Sequence, residues 1–248
     1  ACEEGAVAEL DGFGIKSQQK ILDGIELLAR FQGRRRLNVG LLYGEAFEGL
    51  VARIDGVGRA QLAGSARRRR ETIGDLDVVA AVEPEDVETV TEAILALPGI
   101  AEVKGAGDSK VSVILEASLL ENSMDLGTLD GGVFDSIGGD DYSGLEASGT
   151  IDAQVRLVPP HVFAFTLAYF TGSKEHNIRM RQLAIDKGLR LNEFGLIPDE
   201  VIGDLKGLEA AAHSLPATNE EDIYEHLGLN WVPPELREDM GEIEAATD

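Results

Sequence analysis

The chain has 248 residues, 44% of them apolar, and a formal net charge of −23. That length and apolar share allow one large domain or two to three subdomains with packed cores. They exclude a helical membrane protein, since no apolar run reaches the roughly 18 residues a span requires, and the single cysteine, Cys2, excludes an internal disulfide and fits a reducing, cytoplasmic setting.

Residues 6–30 read as a helical hairpin, with Val7 and Leu10 before the turn Gly12-Phe13-Gly14 and Ile21, Ile25 and Leu28 at helical spacing after it. Residues 39–55 read as a further helix, 61–65 as a short strand and 67–71 as a polar loop. Asp75 to Val82 is an apolar run carrying two acids, a strand. Pro84 opens a helix that runs to Leu97. Strands are expected at 111–115 and 155–158, the second ended by Pro159-Pro160. Helices at 161–169 and 177–187 flank a turn at Thr171-Gly172-Ser173. Residues 118–149 are rich in Gly, Asp and Ser and read as a surface insertion. No basic start followed by an apolar run marks a secretory signal, and the missing initiator Met points to a fragment of a longer chain.

Charge is unevenly spread. Lys and Arg gather in residues 1–70, while residues 199–248 are strongly acidic. Two readings stay open: an acidic protein that meets no nucleic acid, or one adapted to a high-salt cytoplasm. In the second case salt of about 1 M screens surface repulsion within about 3 Å.

Three motifs carry chemistry. Gly64-Ser65 is followed by Arg67 to Arg70 and then by Gly74-Asp75-Leu76-Asp77. Carboxylates at i and i+2 on a strand share a face, and such a pair calls for a cation between them. Two hard oxygen ligands suit Mg²⁺ completed by phosphate oxygens and water, while the Gly-Ser turn and the arginine run suit a phosphate group. Second, Leu10 to Lys16 places Gly-x-Gly before a helix, a turn able to offer N–H groups to a DNA phosphate, or simply a tight turn between helices. Third, Tyr169-Phe170 precedes Thr171-Gly172-Ser173, with Asn177 and Arg181 one helical turn apart. The aromatic pair can stack on a base and sugar, or can be buried at a helix junction.

The segments GSARRRRETIGDLDVV, YFTGSKEHN and WVPPELREDMGEIEAA, in this order, resemble the bacterial and archaeal branch of the family X DNA polymerases over residues 6–246. The resemblance implies an α/β fold: a nucleotidyltransferase palm with a mixed sheet, flanked by a helix-hairpin-helix subdomain and a nucleotide-binding subdomain. The expected divisions are 1–38 for gripping DNA, 39–160 for the palm with its insertion at 118–149, and 161–248 for nucleotide selection. It implies that Asp75 and Asp77 hold two Mg²⁺ ions, with Mn²⁺ as a substitute, and that Gly64, Ser65, Arg68 and Gly74 meet the incoming triphosphate. Tyr169, Phe170 and Gly172 match a sugar-discriminating turn, Asn177 a contact to the base, and Arg181 a contact to the template. Gly12, Gly14 and Lys16 match the hairpin that grips DNA around a monovalent cation. The implied partners are gapped or primer–template DNA and deoxynucleoside triphosphates, acted on by a monomer, with gap filling in repair as the role.

The pattern departs from the family at one point of chemical weight. The third carboxylate is expected where this chain has Gln154. Asp152, two residues earlier on the same face of its strand, is the first candidate to replace it as catalytic metal ligand, and Asp125 the second. A non-catalytic or weakened DNA-end-binding module is the alternative that Gln154 keeps open.

Overall fold

A computed structural model describes residues 1–31, 33–120, 149–203 and 205–247, with no account of the side chains of 26–31. Most of the insertion, including Asp125, lies outside the described residues. The chain divides into two compact units, Ala1–Arg34 and Arg35–Asp248.

In the first unit, Gly12 adopts φ +83° and Phe13 N–H donates to the Leu10 carbonyl. Helix α1 (Ile15–Phe31) starts directly after the turn. The stretch before it is a series of turns rather than the expected first helix of a hairpin. Its sequence, ACEEGAVAEL, is short and carries Gly5, too little for a helix to stand without packing.

The second unit holds a two-stranded ladder of β1 (Arg35–Arg36) and β3 (Thr72–Ile73) and is built on a five-stranded sheet in the order β2 (Val57–Leu62), β4 (Asp75–Val82), β7 (Ile151–Val158), β6 (Lys110–Leu115), β5 (Ile100–Gly107). β4 and β7 are parallel and the other neighbours antiparallel, so the sheet is mixed. β7 shows how the sequence sets this up. Ile151, Ala153, Val155 and Leu157 are buried on one face, while Asp152, Gln154 and Arg156 alternate onto the other. On the buried face they join Leu76, Val78 and Ala80 of β4 and meet Phe47 and Leu50 of α2 (Leu37–Val51) and Val90 and Ile94 of α4 (Val87–Leu95). Burying each such side chain contributes about 1.5–3 kcal/mol. On the opposite face, Val79 and Ala81 pack under Phe163 and Leu167 of α5 (Phe163–Thr171), leaving the start of β4 polar.

A separate core joins α5 to α6 (Lys174–Asp186), the hairpin β8 (Leu189–Asn192) and β9 (Gly195–Pro198), and α9 (Glu220–His226). Ile243 of the short helix α10 (Glu242–Ala245) joins this core, Ala211 of α8 (Gly207–Ala211) packs with Phe163 and Leu167, and α7 (Asp199–Ile202) follows β9 with no buried residue. Several expectations shift. Gly64-Ser65 opens a one-turn helix α3 (Gly64–Arg67) instead of ending a strand. β7 begins at Ile151 rather than Val155. β5 and the β8–β9 hairpin were not read from the sequence. β5, IAEVKGAG, lacks a clean apolar alternation and is exposed along its edge.

Candidate active site

β4 delivers both acids of the GDLD motif to one sheet face. Its parallel register with β7 places Asp75 opposite Asp152 and Asp77 opposite Gln154. Paired residues on neighbouring strands point the same way about 4.8 Å apart, so the four side chains form one polar cluster beside the core. Gln154 donates its side-chain N–H to Asp77 Oδ1. Burial, and after it the nearby Asp75 charge, push the Asp77 carboxyl up to about 6, although the Gln154 bond, Arg156 and Arg68 draw it down. A carboxylate raised in this way is suited to a cation that would relieve both causes.

Gly64 meets Asp77 from the other side. It has φ +61°, and a Cβ built there would lie 2.5 Å from Asp77 Oδ2. Only glycine brings the Gly64-Ser65 backbone this close to the carboxylate. Ala63 N–H donates to the Asp77 carbonyl at 2.7 Å, fixing the turn against the strand.

The arginine run divides its work. Arg67 donates to Thr171 Oγ1 at 2.7 Å and to Glu220 at 2.6 Å. Glu220 also accepts from Arg237 at 2.6 Å, and Glu220 and Arg237 are almost wholly buried. Burial alone would raise the Glu220 carboxyl, but bonds from Arg67 and Arg237 hold it below its ordinary range. Arg68 donates to the Thr171 carbonyl at 2.5 Å and to Glu238 at 2.8 Å. Arg69 and Arg70 remain about half exposed. Thus α3, which borders the acids, is tied to the turn after α5.

That turn carries the third motif. Gly172 has φ +68° and lies against Arg68, 3.2 Å from its built Cβ to Nη1. Tyr169 and Phe170 are half-buried and stacked edge to face at 5.3 Å, and the Arg156 guanidinium lies 4.5 Å from the Phe170 ring centre. Asn177 donates to the Tyr169 carbonyl at 2.7 Å, and Arg181 donates to the Asn177 carbonyl at 3.2 Å. Asn177 thereby braces the aromatic turn. Ser173 caps α6 through the His176 N–H.

The cluster therefore brings together Asp75, Asp77, Asp152, Gly64, Ser65, Gly74 and Arg68, with Gly172 against Arg68. Asp152 is held by Lys104 of β5, Nζ to Oδ1 at 2.5 Å, a residue no sequence pattern marked. Among the described residues, no three His, Cys, Asp or Glu side chains converge as a metal cluster. Asp75 and Asp77 are the two carboxylates that β4 presents together on this face. Gly12, Gly14 and Lys16 belong to the first unit.

A family model described as the DNA polymerase beta thumb matches residues 166–238. The DNA polymerase/3'-5' exonuclease PolX of Bacillus subtilis is 34% identical over 249 residues, covering 100% of this chain and 36% of that protein. DNA polymerase lambda of Arabidopsis thaliana is 31% identical over 180 residues, covering 70% of this chain and 31% of its own length. The chain spans about a third of both relatives. The crystal structure of Leishmania infantum polymerase beta in a ternary P/T complex shares the fold, with a TM-score of 0.61 over 93% of this chain and 96% of that one at 19% identity. The match to PolX over the whole of this chain, together with the thumb model, places this chain in the family X DNA polymerases.

Proposed function

We propose that the chain is a DNA-directed DNA polymerase that transfers a nucleotide to a primer 3′-hydroxyl, with gap filling in repair as its role. The observation that carries this is the Asp75–Asp77 pair on one face of β4, backed by the Gly64-Ser65 turn. A divalent ion, Mg²⁺ or Mn²⁺, would be held by those two carboxylates, would favour the alkoxide form of the attacking hydroxyl and would offset charge on the phosphates. The rest falls to the protein. Arg68, with Ser65 and Gly74 at its side, binds the triphosphate, and Tyr169, Phe170 and Gly172 select the sugar. Asn177 and Arg181 face the base and template. Gly12, Gly14 and Lys16 hold the primer strand, around a monovalent cation. This reading assigns 1–38 to DNA gripping, 39–160 to the palm and 161–248 to nucleotide selection.

A second reading, a weakened or non-catalytic DNA-end binder, is favoured by Gln154 standing where the family pattern has a carboxylate. Substitution separates the two. In a polymerase, Asp75→Ala or Asp77→Ala reduces nucleotide addition on gapped DNA by about a hundredfold or more while DNA affinity stays within a few-fold. A loss of only a few-fold in rate would contradict the assignment.

A further inference from the structure

Among the described residues, the cations near the acids on the polar face of the sheet are Arg156 and Arg68, which act on Asp77, and Lys104, which meets Asp152. Lys104 belongs to the edge strand β5, where the pairing with β6 slips between Val103 and Gly105. Such an irregularity re-aims the extra residue. β6 separates β5 from β7, so Lys104 reaches over one strand, a distance of about 10 Å between strand axes. Its ammonium meets Asp152 Oδ1 at 2.5 Å. Asp152 in turn stands opposite Asp75 in the β4–β7 register.

The contact itself is weak, because Lys104 is 44% and Asp152 53% exposed, and an exposed pair is worth about 0–1 kcal/mol. Its effect lies in charge. With Lys104 in place, the third acid on this face already has a cationic partner, which leaves Asp75 and Asp77, the latter near Arg156 and Arg68, as the carboxylates open to a metal ion. Gln154 does not restore the balance, since it gives Asp77 a hydrogen and not a negative charge.

Resting on the metal-dependent reading above, we propose that Lys104 is a positioning residue that sets the metal stoichiometry of this site. It withdraws Asp152 from the ligand set, so the nucleotide-free site would take a single divalent ion, held by Asp75 and Asp77. This replaces the expectation that Asp152 is a metal ligand.

The test is a Mn²⁺ titration of the full chain followed by electron paramagnetic resonance, without nucleotide and at a salt concentration where the protein is folded. The wild type binds one ion at a site that Asp75→Asn and Asp77→Asn each abolish. Asp152→Asn, which also removes a unit charge, weakens that affinity severalfold but by less than about tenfold. Lys104→Met raises it at least about threefold or adds a second site, as removing a unit charge several ångströms away does in a well-solvated setting. Lys104 is exposed, so the variant does not threaten the fold. The proposal is overturned if Lys104→Met changes neither affinity nor stoichiometry while the Asp75 and Asp77 variants abolish binding. It is equally overturned if Asp152→Asn weakens the first ion tenfold, which makes Asp152 a ligand. Should the Asp75 and Asp77 variants bind Mn²⁺ like the wild type, the metal-site reading itself fails, whatever Lys104 does.

Discussion

His176 lies on α6 and is 2% exposed. One ring nitrogen, Nδ1, lies 2.7 Å from Glu242 and the other, Nε2, 2.8 Å from the Tyr224 hydroxyl. A neutral ring satisfies both: Nδ1–H donates to the carboxylate and Nε2 accepts from the phenol. Burial lowers the His176 pKa and outweighs the bond to Glu242, which raises it. Burial would raise Glu242, yet its bonds from His176 and from backbone N–H groups hold it low. Both groups are depressed in the folded state, so the unfolded chain takes up more protons as pH falls. Their stability contribution is present above the unfolded values and is lost on acidification, from about pH 6.5 downward for the histidine. The Tm should fall between pH 7.5 and 5.5, and His176→Gln should flatten that slope even though it lowers the Tm at neutral pH. An unchanged slope in the variant would remove His176 as the cause. At this scale the sequence was readable where identity alone decides. Asp75, Asp77 and the oddity of Gln154 stand out in one line of text. Lys104 does not, because its role depends on a strand slip in a glycine-containing segment and on a partner 48 residues away.

Among elements, the link between α3 and the segments around α9 is the most consequential. Arg67 and Glu220 are 153 residues apart in sequence, and Arg237 completes the network from the far side. Long-range pairs of this kind leave no local periodicity, so the arginine run read as a phosphate-binding loop throughout, whereas Arg67 is spent on structure. The strands β4 and β7 were legible in part, because the apolar run of β4 and the apolar residues at the end of β7 mark strands. Their parallel pairing, which sets both acids of β4 beside the polar side of β7, came only with the structure. The edge strand β5 was hidden because an exposed strand lacks an apolar face, and β8 and β9 because each is only 4 residues long. Removing one member of a buried charge network leaves the others unpaired in a poorly solvated place, at about 3–5 kcal/mol. Glu220→Ala should therefore destabilise the second unit by about 3 kcal/mol in chemical denaturation. A change under about 1 kcal/mol would mean that water reaches Arg67 and Arg237 freely.

Across the whole molecule, a net charge of −23 sits on a chain whose family relatives are named DNA polymerases. Self-repulsion of that size weakens at high ionic strength, where the Debye length shrinks to about 3 Å at 1 M. Folding stability should rise with salt up to about the molar range, and DNA affinity should depend on salt less steeply than counterion release gives for a basic protein. Full stability at low salt would leave the acidity unexplained by salt adaptation. The two compact units frame the same question, since the turn at Gly12–Gly14 lies in one and the acids of β4 in the other. The central claim is that the second unit's sheet performs metal-dependent nucleotide addition to DNA. Extension of a gapped primer by the purified chain, with Mg²⁺ or Mn²⁺ and across salt concentrations, tests it most directly. The account predicts template-directed addition that a chelator stops and restored metal revives; metal-independent addition, or DNA binding with no addition under any metal and salt, would contradict it.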